Sequence, residues 1–140
     1  RVEASIRLAQ LDPPTVVAGR ANAVLPSMLA ALPADTTAIV TTTWAFGYFS
    51  LAERTEFVDL LRTESRSRRI AWVSAEGAGT VDAFASPAAA DPSDPDVLGA
   101  MLFHGGEATA HVLARVHAHG NWIDWRASSL GSARRQGLGR

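Results

Sequence analysis

Three histidines near the carboxyl end, His111, His117 and His119, have the spacing that most readily suggests chemistry. Histidines two apart on a strand point to one face, and His111 shares their parity. Such a pair holds zinc when a third ligand converges. The surrounding pattern argues for a simpler role. Val112, Ala114, Val116 and Ala118 alternate with His111, Leu113, Arg115, His117 and His119, as in a half-buried strand whose histidines lie on the wetter face. No metal site is expected, and Asp124 is placed only by its nearness in sequence to orient one of the rings. Asp91, Asp94 and Asp96 bring calcium to mind, but no glycine or distal glutamate stands at EF-hand spacing. Alternating Asp and Pro is ordinary turn chemistry. There is no glycine-framed serine elbow, no P-loop and no dinucleotide fingerprint. Gly77-Ala78-Gly79 follows a strand without opening a helix.

Aromatic residues form the second group. Trp44, Phe46 and Tyr48 follow the β-branched run Thr36-Thr37-Ala38-Ile39-Val40-Thr41-Thr42-Thr43 and precede Ser50 and Glu53, which have capping-box spacing. This is a strand-to-helix unit. Ligands of α/β sheets bind at the carboxyl ends of strands, which makes Trp44, Phe46 and Tyr48 the expected substrate pocket. Trp122 and Trp125, by contrast, read as lids over the sheet edge. Arg62, Arg66, Arg68 and Arg69 complement the negative end of the helix that follows the turn.

The elements that must position these groups can be read in order. Val2, Ile6 and Ala9 mark the last turns of a helix that Asp12-Pro13-Pro14 stops. Thr15–Ala18 reads as a short buried strand. Asn22 is placed as the N-cap of a helix from Ala23 to about Leu32, with Pro26 near its first turn. Strands are expected at Thr37–Trp44 and Arg69–Ala75, with a helix from Leu51 to about Arg66 between them. The segment from Glu76 to Asp96 is low in complexity and reads as a long loop. Val97–His104 and Glu107–His117 form a hairpin about Gly105-Gly106, a pair suited to positive φ. Its register puts Val97, Gly99, Met101 and Phe103 on one apolar face with Ala108, Ala110, Val112 and Ala114. After residue 126 a solvated, flexible tail is expected.

Composition bounds the class. The chain has 140 residues, 47% of them hydrophobic and 19% charged, and a net charge of −1. That is one soluble globular domain, and the charge argues against a nucleic-acid partner. All thirteen basic residues are arginine, a bias expected of a GC-rich bacterial genome. The absence of cysteine excludes disulfides and thiol catalysis and fits a cytoplasmic protein. No apolar run is long enough to span a membrane. Because the chain opens at Arg1 within a helical pattern, it is expected to be a fragment.

The TAIVTTTWAFGYFSLAER unit, the RIAWVSAE strand and the closing ATAHVLARVHAHGNWIDW segment together resemble an uncharacterised bacterial family, catalogued as domain of unknown function 2332. His119-Gly120-Asn121-Trp122-Ile123-Asp124-Trp125 is the most specific match, followed by Trp44 with Tyr48 and Phe49. The order of elements also resembles the second half of a Rossmann-type methyltransferase. That resemblance implies a three-layer α/β domain over residues 1–126, with a mostly parallel sheet and a C-terminal antiparallel β-hairpin. It also implies that Asn22 contacts the cofactor S-adenosylmethionine, while Trp44, Phe46 and Tyr48 line the substrate pocket. The glycine-rich cofactor loop of such enzymes has no counterpart here, so a non-catalytic binding or assembly module is the alternative. The expected partners are a small-molecule ligand and a second copy joined through exposed sheet edges.

Overall fold

The computed structural model describes residues 2–84 and 96–125. Helix α1 (Val2–Leu11) is followed by α2 (Ala21–Ala30), strand β1 (Ala38–Thr43), a single 3-10 turn at Phe46–Tyr48, and helix α3 (Leu51–Glu64). Strand β2 (Ile70–Glu76) comes next, then a second 3-10 turn at Asp82–Phe84. Strands β3 (Asp96–His104), β4 (Glu107–Val116) and β5 (Ile123–Trp125) complete the described chain. The five strands form one sheet in the order β1-β2-β3-β4-β5. No helix among the described residues is long and apolar enough to cross a membrane.

Only β1 and β2 are parallel, with α3 making the crossover that parallel strands require. The pairs β2–β3, β3–β4 and β4–β5 are all antiparallel. The sheet is therefore mixed, which overturns the expected mostly parallel, three-layer Rossmann-like sheet. One reason lies in Thr15–Ala18, the expected first parallel strand. It is exposed and forms no strand among the described residues, and β-propensity without a partner strand makes no strand. A second reason is that β3 and β4 are joined by a two-residue turn, which can only link antiparallel neighbours, and β3 and β5 also pair antiparallel with β2 and β4.

The core lies on one face of the sheet. Ala38, Ile70, Trp72, Met101 and Phe103 are buried there against Leu29 of α2 and Phe57 and Leu61 of α3. Ile39 and Leu102, which alternate with them along the strands, are exposed. Phe84, from the second 3-10 turn, closes the core above Gly99. A Cβ on Gly99 would lie 2.6 Å from the Phe84 ring, so only glycine lets the ring reach the sheet.

The hairpin turns at Gly105 and Gly106, with φ of +61° and +87°, as the two-residue turn demands. From His104↔Glu107 to Gly99↔Val112 its register is the expected one. A bulge then leaves Leu113 without a partner and sets Ala114 opposite Leu98. The apolar face expected from alternation is thus interrupted before Ala114. Of the aspartates considered for calcium, Asp91 and Asp94 lie outside the described residues, as does the expected tail at 127–140.

Gly99→Ala is predicted to lower stability by about 1–3 kcal/mol, because the new methyl must displace a packed ring. Urea denaturation measures this; an unchanged midpoint would mean that Phe84 does not seat on β3.

Candidate functional site

The turn after β1 is built around one buried carboxylate. Glu76 ends β2 with 3% of its surface exposed. Its carboxylate accepts hydrogen bonds from the backbone N–H groups of Ala45, Phe46 and Gly47, at 3.2, 3.0 and 3.4 Å. These amides open the 3-10 turn and have no partner within it, so Glu76 caps them from another strand. Arg54 of α3 holds the carbonyl side. Its guanidinium donates to the carbonyls of Gly47 at 2.9 Å, Phe49 at 3.1 Å and Thr80 at 3.2 Å. It also lies 5.8 Å from the centre of the Phe46 ring. An anion on the amides and a cation on the carbonyls together fix the path of the turn.

That path distributes the three aromatic residues to three places. Trp44 enters the turn with φ +47°, a conformation that costs a non-glycine residue about 1–3 kcal/mol. Two hydrogen bonds offset the strain: its N–H donates to Ala75 O at 2.9 Å, and its indole Nε1 donates to Asp96 Oδ2 at 2.7 Å. Phe46 turns into the core, with ring centres 5.0 to 5.3 Å from Trp72, Phe49 and Phe57. Tyr48 projects outwards, 91% exposed.

Asn22 meets Tyr48 across a cleft of about 620 Å³, lined by Gly19, Arg20, Asn22, Tyr48, Glu53 and Glu56 among others. The structure thus brings together two of the four sequence-predicted site residues and sends Phe46 to the core and Trp44 towards β3. Asn22 is not the N-cap of α2. Arg20 holds that position, without a side-chain cap bond. The amide Nδ2 of Asn22 instead donates to Glu53 O at 3.0 Å and Glu56 Oε2 at 2.7 Å, tying α2 to α3. Its Oδ1 is buried and accepts no hydrogen bond among the described residues. A buried acceptor left unmet costs about 1–3 kcal/mol.

The two carboxylates of the cleft differ in their commitments. Glu53 is held by the capping box at the start of α3, where it accepts from Ser50 N at 2.9 Å, and it also pairs with Arg20. Glu56 is exposed, and its one hydrogen-bond partner among the described residues is Asn22. The cleft therefore carries one uncompensated negative charge beside an unmet acceptor and an exposed phenol ring. A groove of about 650 Å³ on the other side of α3 offers less, because its arginines are engaged: Arg54 by the turn and Arg62 by Asp59.

The histidines are placed differently from the expectation. Strand β4 ends at Val116, so His117 and His119 lie in the turn beyond it rather than on a strand face. Their ring centres are 5.6 Å apart, and the His119 N–H donates to His117 Nδ1 at 3.0 Å. His111 is within β4 opposite Ala100. Asp124 stands opposite Arg115 in the β4–β5 register. No group of three potential metal ligands occurs among the described residues.

Glu76, Arg54 and Glu56 were not singled out from sequence. For Glu76 a signal existed, since a carboxylate ending the otherwise apolar run IAWVSA is unusual in a buried strand. Arg54 and Glu56 look like any solvated residues of a helix.

The fold and the cleft define a mixed-sheet α/β domain with a polar site beside the turn after its edge strand. The chain belongs to a bacterial family described as an uncharacterised protein conserved in bacteria (DUF2332), whose profile matches residues 1–125. No curated protein and no solved structure matches it.

Glu76→Gln retains the side-chain shape but removes the charge and turns an N–H₂ towards the amides. It is predicted to cost about 1.5–3 kcal/mol, the range for a hydrogen bond to a charged group. Equal urea midpoints for wild type and variant would contradict the capping role.

Proposed function

We propose that this chain is a small-molecule binding module whose cleft takes a cationic ligand bearing hydrogen-bond donors. The observation that carries the reading is the exposed Glu56 carboxylate, which meets no cation among the described residues, beside the exposed Tyr48 ring. A positive group compensates Glu56, and a planar group stacks on Tyr48.

S-adenosylmethionine has both features: positive sulfonium and ammonium groups and a planar purine. It is the first ligand to test. The mixed sheet lends no support to a methyltransferase relationship, so this choice rests on the chemistry of the cleft alone. Sending Phe46 to the core and Tyr48 to the cleft favours binding as the role of the turn.

Calorimetric titration with S-adenosylmethionine and S-adenosylhomocysteine tests the reading. Saturable heat is expected with the first. Weaker binding is expected with the second, which lacks the sulfonium charge, and Glu56→Gln should narrow the difference between the two. Tyr48→Ala, at an exposed ring, should weaken the binding of both compounds while the fold persists. No saturable heat with either compound overturns this ligand class.

A further inference from the structure

A second groove, of about 580 Å³, runs between α2 and the edge strand β1 and is lined by Leu25, Met28, Leu32, Ile39, Val40 and Phe49, among others. Its walls lack charge: the α2 sequence ANAVLPSMLA has no ionisable side chain, and neither has β1, AIVTTT. Met28 and Leu32 in this groove are 43% and 42% exposed. Among the described residues strand β1 has no partner on its outer edge, and its sequence holds none of the charges or prolines that normally protect such an edge.

The same chain carries a second apolar surface that is exposed among the described residues. Helix α1 buries none of its residues, and Val2, Ile6, Leu8 and Leu11 are all exposed. Its charges Glu3 and Arg7 pair with each other at 2.9 Å and leave the stripe through Val2, Ile6 and Ala9 uncharged. The two surfaces match in length. Ten residues of helix span about 15 Å at 1.5 Å each, and β1 from Ile39 to Thr43 covers about the same at roughly 3.3 Å per residue. Residues 13–20 between α1 and α2 form neither helix nor strand and are exposed. Pro13 and Pro14 stiffen the exit from α1.

We propose that a second copy of this chain covers the groove, with helix α1 of each copy seated between α2 and β1 of the other. Exchange of an identical element through an exposed hinge gives a closed, two-fold dimer. It buries both apolar surfaces at once.

The absence of native cysteine makes the contact directly testable. Chains bearing Ile6→Cys and chains bearing Met28→Cys are mixed and oxidised, while light scattering gives the mass of the unmodified chain. The proposal predicts a dimeric mass, a covalent heterodimer between the two variants, and a monomer for Ile6→Asp with its far-ultraviolet circular dichroism retained. A monomeric unmodified chain overturns it. So does a disulfide formed within one chain when both cysteines are placed together. A dimer that survives Ile6→Asp but is lost in Thr41→Pro overturns it in favour of direct pairing between β1 edges.

Discussion

The carboxylate of Glu76 lies buried at the end of β2, where it must accept hydrogen bonds from three consecutive amides of the turn after β1. A charge taken out of water is tolerable only when its bonding capacity is filled, so the carboxylate and the turn depend on each other. With the amides of Ala45, Phe46 and Gly47 fixed, Phe46 enters the ring cluster with Trp72 and Phe57, Tyr48 faces outwards, and Ser50 is placed to open α3. Arg54 completes the constraint from the helix that the turn itself starts. The position of the cleft follows from this arrangement. One wall is the N-terminal turn of α2, held to α3 by Asn22; the other is Tyr48, set by the turn.

Beneath the turn, the sheet supplies a polar ladder that few strand sequences announce. The Trp72 indole donates to Thr42 Oγ1 at 3.1 Å, and Thr42 Oγ1 donates to the fully buried Ser74 at 3.2 Å. These bonds let β1 and β2 keep hydroxyls on the core face beside the aromatic cluster without leaving buried groups unmet. The parallel pair is thereby anchored at the end where the cleft opens.

Local chemistry was legible in the sequence; long-range chemistry was not. Ser50 and Glu53 form the expected capping box, and Gly105-Gly106 the expected turn, because each depends on residues a few positions apart. Strand β1 and helix α3 fall within a few residues of the predicted spans for the same reason. Thr15–Ala18 failed as a strand because pairing, not composition, decides strand formation. The alternation through His111–His119 failed because the bulge at Leu113 and the end of β4 at Val116 are set by the partner strand and the following turn. Asn22 was expected as the N-cap of α2 but lies within its first turn, and its partners are thirty-one and thirty-four residues away on α3. Glu76 stands about as far from the amides it caps, and no periodicity reports such a contact.

The most direct test of this account is native-state hydrogen exchange at the amides of Ala45 and Phe46. If Glu76 locks the turn into the core, both amides exchange only through global unfolding, with the same protection as the amide of Trp72 in the central strand. Exchange through local opening, several orders of magnitude faster than at Trp72, would show that the turn moves independently of the sheet. Glu76 would then not be the constraint on which the cleft depends.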